Sequence, residues 1–255
     1  MSDAVLSLQG LTRDFGPFRA VDNVSLDIRR GSITGLIGPN GAGKTTLFNM
    51  VAGSLKPSGG RVSLNGQDVT GKPSDALFAL GLARTFQIPR PFKRMSVLDN
   101  LLLAPPAQLG ETVPGALFRR NSVAAQEHKL REKALEILDF VTLSHLADHP
   151  AGKISGGQMK LLELGRALMG DPALILLDEP AAGVNPTLTN ILIDRIEELN
   201  RRGMTFVVIE HDMDFVMRHC DPVIALAEGK VIFQGTAAEA QVNADLLDAY
   251  LGAPA

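Results

Sequence analysis

Cysteine is almost absent from this 255-residue chain: Cys220 stands alone, so no internal disulfide braces the fold. Long apolar runs are also missing. The strongest, Ala173 to Leu177 and Phe206 to Ile209, are strand-sized and far short of the roughly 18 to 20 residues that cross a bilayer. Any membrane role is therefore expected to come through a partner. The opening Met-Ser-Asp-Ala-Val has neither the basic nor the apolar region of a signal peptide, so the expected compartment is the cytoplasm. Positive charge is not in excess: 25 Lys and Arg stand against 28 Asp and Glu, a formal net charge of −3, and no nucleic-acid partner is expected. Aromatic residues are sparse, yet 45% of the chain is hydrophobic, enough for an ordinary globular core. The length suits one large α/β domain, or a domain with a smaller lobe.

What is present changes texture along the chain. Val5 to Leu11 and Val21 to Ile28 alternate apolar with polar positions. Arg61 to Leu64 and Gln67 to Val69 flank Asn65-Gly66, a pair that supplies the positive φ of a tight hairpin turn. Ile33 to Ile37 reads as a buried strand running into a glycine-rich turn, and Lys44 to Ala52 as a helix stopped by Gly53. In the middle, Pro89, Pro91, Pro105, Pro106 and Pro114 break the chain, while Leu130, Ala134, Ile137, Leu138 and Val141 keep helical spacing. A helical lobe over about 96–169 is expected, with the rest of the domain over about 1–95 and 170–255. The last third alternates again: strand Leu174 to Leu177, helix Pro186 to Asn200, strand Thr205 to Ile209, a hairpin over Val223 to Gln234 turning at Glu228-Gly229, and a terminal helix with Leu246, Leu247, Tyr250 and Leu251.

Three segments carry chemistry. Gly38-Pro39-Asn40-Gly41-Ala42-Gly43-Lys44-Thr45 matches G-x-x-x-x-G-K-[ST] between a strand and a helix. Glycines let backbone N–H groups turn toward phosphate oxygens, the helix adds its unpaired first-turn donors, Lys44 reaches the β and γ phosphates, and Thr45 holds Mg²⁺. The bland alternative is a glycine turn that happens to precede Lys-Thr. Leu174 to Leu177 ends in Asp178-Glu179. Asp178 suits the Mg²⁺ shell, and Glu179 suits orientation or deprotonation of water; otherwise two acids simply end a strand. Ser155-Gly156-Gly157-Gln158 opens a helix in which Leu161, Leu164 and Leu168 form an apolar stripe, with Glu163 and Arg166 expected to face water. Ser155 could serve as no more than a helix cap. The two glycines equally remove side chains where an anion approaches exposed N–H groups, which would make a second phosphate-facing surface.

Taken in order, Gly38 to Thr45, Gln87, Ser155 to Gln158, Leu177-Asp178-Glu179 and His211 resemble the ATP-binding cassette ATPases across nearly the whole chain. Gly31 to Gly38, Arg84-Thr-Phe-Gln87, Met159 to Glu163, Glu179 to Asn185 and the ending Ala249-Tyr-Leu-Gly252 resemble the branched-chain amino acid importer ATPases within that family. The resemblance implies an α/β fold: a P-loop NTPase cassette with a mainly parallel core sheet, an antiparallel β subdomain and an inserted helical subdomain. It implies ATP and Mg²⁺ as ligands, and a head-to-tail pair in which Ser155, Gly156, Gly157 and Gln158 of one cassette cover the γ-phosphate held by the other. Phosphates would lie on Gly38, Asn40, Gly41, Gly43, Lys44, Thr45 and Thr46. Gln87 would contact Mg²⁺ and the attacking water, His211 would bond the γ-phosphate and hold Glu179 in place, and Phe15 would stack on adenine. Asn185 stands where many relatives carry Asp, keeping hydrogen bonding without the charge.

The partners so implied are transmembrane permease subunits, a second cassette, identical or a paralogue, and indirectly a periplasmic substrate-binding protein. The chain would then sit peripherally on the cytoplasmic face of the inner or plasma membrane. A groove close to Gln87 and Ile88 to Met95 would receive the permease. Alternatives are the ATPase of a lipopolysaccharide export complex, a soluble cassette outside transport, and a nucleotide kinase. Other features read as ordinary: His145 and His149 as solvent-facing, Arg119-Arg120 as an exposed loop, Glu127 and Arg131 as a helix pair, and Cys220 as no nucleophile.

Overall fold

The computed structural model describes residues 3–85, 88–112, 119–243 and 246. These fall into two compact units, one drawn from 1–87, 173–181 and 197–255, the other from 88–172 and 182–196.

The first unit holds both sheets. Long strands β1 (Ala4–Phe15) and β2 (Phe18–Arg29) pair antiparallel, and β1 pairs on its other side with β4 (Gly59–Leu64), followed by β5 (Gln67–Asp68). Alternation sets their inner face: Leu6 and Leu8, then Leu11 past a register shift, are buried with Val24, Leu26, Ile28, Val62 and Leu64. The β4–β5 turn is Asn65-Gly66, both at positive φ, as that dipeptide demands.

Among the described residues the second sheet has six strands, in the order β10-β9-β3-β8-β7-β6. β3 (Ile33–Ile37), β7 (Leu174–Asp178) and β8 (Thr205–Ile209) are buried along their whole length, as continuous apolar runs in a parallel sheet should be. β6 (Leu82–Arg84) joins β7 in parallel, β9 (Val223–Ala227) joins β3 in parallel, and only β10 (Lys230–Gly235) runs antiparallel at the edge. Helices of this unit are α1 (Lys44–Val51), α2 (Ser74–Ala79), α7 (Met213–His219) and α8 (Ala237–Val242). The mainly parallel core and separate antiparallel sheet agree with expectation. β6, α2, α7 and α8 are additions to it. Of the expected terminal helix, Leu246 is buried, and Leu247, Tyr250 and Leu251 lie outside the described residues.

The second unit is helical: α3 (Val97–Leu102), α4 (Arg120–Phe140), α5 (Gly156–Leu168) and the first two-thirds of α6 (Pro186–Arg201). Ala134 and Leu138 of α4 and Leu101 of α3 are fully buried, and Gly165 of α5 gives Ile137 and Leu101 room to approach. The i, i+4 repeat read from the sequence is thus a packing face.

Candidate active site

β3 runs directly into the loop from Gly38 to Gly43, and glycine is what lets that loop close. Gly38 and Gly43 sit at φ +147° and +96°. A Cβ on Gly38 would fall 2.1 Å from the Leu226 carbonyl oxygen, and one on Gly43 would fall 2.5 Å from that of Ala20. Neither position admits any other residue. Gly41 also has positive φ, but a Cβ there would meet nothing within 4 Å, so the loop is open on that side.

α1 begins with Gly43 as its N-cap, and no side chain caps it. The N–H groups of Lys44, Thr45 and Thr46 have no partner within the helix and carry the positive end of its dipole. Thr45 and Asn40 are exposed and Thr46 half-buried. Lys44 is buried, donating from Nζ to the carbonyl oxygens of Gly38 at 2.6 Å and Pro39 at 2.9 Å. Burial pulls its pKa below the usual lysine range, and the nearby charge of Glu179 acts in the opposite direction. An uncapped helix start, a loop only glycine can make and a buried cation at its base form a donor set suited to a triphosphate.

Asp178 ends β7, buried. Its Oδ2 accepts from Arg84 Nη2 at 3.0 Å, while Arg84 Nη1 donates to Asn49 Oδ1 of α1 at 2.6 Å. Glu179 follows in the left-handed region at φ +48°, held there by its N–H donating to Ile209 O at 2.9 Å. That kink sends the two carboxylates to different tasks. Glu179 Oε1 lies 2.9 Å from His211 Nε2, and His211 is the more exposed of the pair. The two residues predicted to cooperate are in contact.

Glu210 was not anticipated. Buried at 4% exposure, its Oε1 accepts from Ala181 N–H at 2.9 Å and its Oε2 from His211 N–H at 3.3 Å. One carboxylate therefore fixes the backbone of His211 and of the segment leaving Glu179. Its position beside His211 was the only available signal.

Among the described residues, no group of three or more His, Cys, Asp or Glu is arranged as a metal cage. A hydroxyl from Thr45, the Asp178 carboxylate and phosphate oxygens suit Mg²⁺, which commonly keeps water and substrate ligands. Gln87, expected to join them, lies outside the described residues. Phe15 is not a core residue. It ends β1 opposite Phe18, is 46% exposed, and has the Arg13 guanidinium 4.7 Å from its ring centroid.

In the helical unit, Ser155 caps α5: its Oγ accepts from Gln158 N–H at 3.3 Å, and Gln158 Oε1 accepts from Ser155 N–H at 2.8 Å. The two glycines that follow have different roles. A Cβ on Gly156 would meet nothing within 4 Å, so the helix start is bare there. Gly157 is buried, and a Cβ there would strike Leu188 at 2.6 Å and Val184 at 2.9 Å, so the position admits no side chain. Glu163 corrects an expectation, being buried rather than facing water, since α5 is packed around most of its circumference. Arg166 is half-buried over Phe92, and burial lowers its pKa. Asn185 caps α6, accepting from Thr187 N–H on Oδ1 at 2.9 Å. His145 and His149 are exposed, as are Arg119 and Arg120, although Arg120 already begins α4. The i, i+4 contact formed on α4 is His128 with Glu132 at 3.5 Å, while Glu127 and Arg131 line a groove beside α3.

A parallel sheet whose central strand enters a glycine-built loop and an uncapped helix is the architecture of a phosphate-binding protein. Residues 21–182 match the ABC transporter family. The chain is 42% identical over 249 residues to the probable branched-chain amino acid transport ATP-binding protein LivG of Archaeoglobus fulgidus, covering 98% of this chain and 96% of that one. It is similar to the crystal structure of the ADP conformation of an ATP-binding cassette of an ABC transporter, with 39% identity, a TM-score of 0.83, and coverage of 99% of this chain and 100% of the other. It is also similar to a dimeric post-hydrolysis state of another cassette bound to ADP and phosphate: 26% identity, TM-score 0.74, with 91% and 98% of the two chains covered. The chain belongs to the ABC transporter family, as an ATP-binding cassette with ATPase activity.

Proposed function

We propose that this chain is the ATP-hydrolysing subunit of a membrane importer for branched-chain or related amino acids. The single observation that carries the substrate class is the likeness to LivG over nearly the full length of both chains. In such a complex the chain would sit peripherally, on the cytoplasmic face through permease subunits; among the described residues no helix is long and apolar enough to cross a membrane. Ile88 and Phe92, 73% and 53% exposed beside Arg90, Lys93 and Arg94, are the mixed apolar and basic contacts a permease would cover. A periplasmic binding protein would deliver the amino acid from the far side.

In this reading the loop N–H groups and Lys44 bind the β and γ phosphates, with Gly38, Asn40, Gly41, Gly43, Thr45 and Thr46 around them. Phe15 stacks on the adenine. Thr45, Asp178 and Gln87 would hold Mg²⁺, whose charge would offset that of the phosphate oxygens. Glu179 accepts the proton of the attacking water. His211 holds the Glu179 carboxylate in one orientation, and Glu210 fixes the backbone from which His211 projects. Ser155, Gly156, Gly157 and Gln158 of a second cassette, a copy or a paralogue, close over the γ-phosphate with the start of α5. Gly157 supports that helix start by packing. The dimeric state of a similar cassette supports this pairing. ATP then joins two surfaces, each built on a helix start whose first-turn N–H groups have no acceptor within the helix, and its cleavage releases them.

Deletion of the gene should abolish binding-protein-dependent uptake of labelled leucine, isoleucine and valine, with recovery from the parent chain and none from Glu179→Gln. Unchanged uptake of all three would contradict the substrate class.

A further inference from the structure

Arg84 has no part in the site as expected from the sequence, yet it meets two of the site's elements. In the parallel pairing of β6 with β7, Arg84 lies opposite Leu176, and Asp178 is two residues further along β7. A two-residue step returns to the same face of a sheet, so Arg84 and Asp178 project together. One arm of the guanidinium reaches Asp178 Oδ2 at 3.0 Å, and the other reaches Asn49 of α1 at 2.6 Å. Both members of the ion pair are about one-tenth exposed, 11% each, so solvent screens the contact poorly. Among the described residues no hydrogen bond is made to Asp178 Oδ1. The planar fork of arginine spans two acceptors in fixed directions, which a lysine ammonium does not.

We propose that Arg84 is a positioning residue for metal binding: it fixes Asp178 through Oδ2, ties it to the helix that follows the phosphate loop, and leaves Oδ1 as the oxygen offered to Mg²⁺. The inference rests on the ATPase reading of this site and names a residue through which that site is ordered. Groups behind a metal ligand set its orientation and basicity, so their loss shows in metal affinity while the ligand itself is intact.

The test is ATP affinity of the full chain, read with a fluorescent trinitrophenyl-ATP probe first in EDTA and then in Mg²⁺. In Arg84→Met, affinity in EDTA should match the parent, while the strengthening brought by Mg²⁺ should fall about tenfold. Arg84→Lys, which keeps the charge and reaches one acceptor, should recover part of that strengthening. In an Asp178→Asn background, Arg84→Met should add no further loss, because both changes act on one contact. A full Mg²⁺ effect in Arg84→Met overturns the proposal. So does an equal fall in EDTA and in Mg²⁺, the mark of an ion pair that only supports the fold. If Arg84→Met does not fold, Arg84→Lys decides through electron paramagnetic resonance of Mn²⁺ bound with ATP: weakened Mn²⁺ binding supports the role and parental binding overturns it. A parent chain whose ATP affinity is indifferent to Mg²⁺ removes the metal reading of Asp178 itself, and the proposal with it.

Discussion

His211 Nε2 lies 2.9 Å from Glu179 Oε1, and the backbone of each is pinned separately: Glu179 N–H to Ile209 O, His211 N–H to Glu210 Oε2. A carboxylate held at both its backbone and its tip is ready to receive a proton without reorganising. Glu179→Gln should therefore lower ATP turnover by at least about 100-fold while retaining ATP binding, the scale of losing a general base. His211→Ala should also lower kcat, with a smaller change in KM. Steady-state phosphate release measures both, and normal turnover in Glu179→Gln would remove that residue's role.

Lys44 is a buried cation whose pKa burial has lowered. Between that lowered value and the ordinary lysine value, the unfolded chain binds more protons than the folded one, so this group makes stability rise with pH across the window. Lys44→Met should erase that rise, and at neutral pH the nucleotide-free variant should be at least as stable as the parent. Its ATP affinity should nevertheless fall about 10- to 100-fold, as expected for losing charged hydrogen bonds. Denaturant titrations at pH 7 and pH 10, with nucleotide titrations alongside, test both halves; stability with the parent's pH slope would contradict the assignment.

Gly156 and Gly157 should respond oppositely to alanine. At Gly157 the new methyl group meets Leu188 and Val184, overpacking that destabilises by about 1–3 kcal/mol. At Gly156 it meets nothing within the chain, so folding should be preserved while ATP-dependent pairing weakens. Thermal melts and nucleotide-dependent sedimentation separate the two effects. Equal melting temperatures for both variants would contradict the packing role of Gly157.

Cys220 is 3% exposed, and burial raises its thiol to about 12, with Glu210 adding to the shift. At pH 8 its thiolate population should be roughly a thousandfold below that of a free cysteine. A disulfide reagent should label it only after denaturant is added. Stoichiometric labelling of the native chain within minutes would contradict that burial.

Much of this was legible from residue order because the relevant signals are local. Ile33–Ile37 and Thr205–Ile209 are continuous apolar strands, Asn65-Gly66 and Glu228-Gly229 are turns by their own backbone preference, and the phosphate loop declares itself by spacing. What escaped depends on distant partners or short length. Three residues, Leu82–Arg84, are too few to show a period. The seven-residue Met213–His219 helix is marked mainly by Asp212, whose side chain accepts from Asp214 and Phe215 N–H groups. The burial of Glu163 has no local signal because a helix buried around most of its surface has no single wet stripe, and the packing of Gly157 has none because Leu188 lies 31 positions away. Arg84 meets Asp178 across 94 residues, beyond the reach of any local pattern.

Head-to-tail closure over ATP is the step on which transport would depend, and mass measured by light scattering tests it most directly. With ATP and Mg²⁺, Glu179→Gln should elute at twice the 27.2 kDa of one chain, and Glu179→Gln combined with Ser155→Arg should remain at one. ATP bound at full occupancy to a Glu179→Gln chain that stays at 27.2 kDa would contradict the shared site.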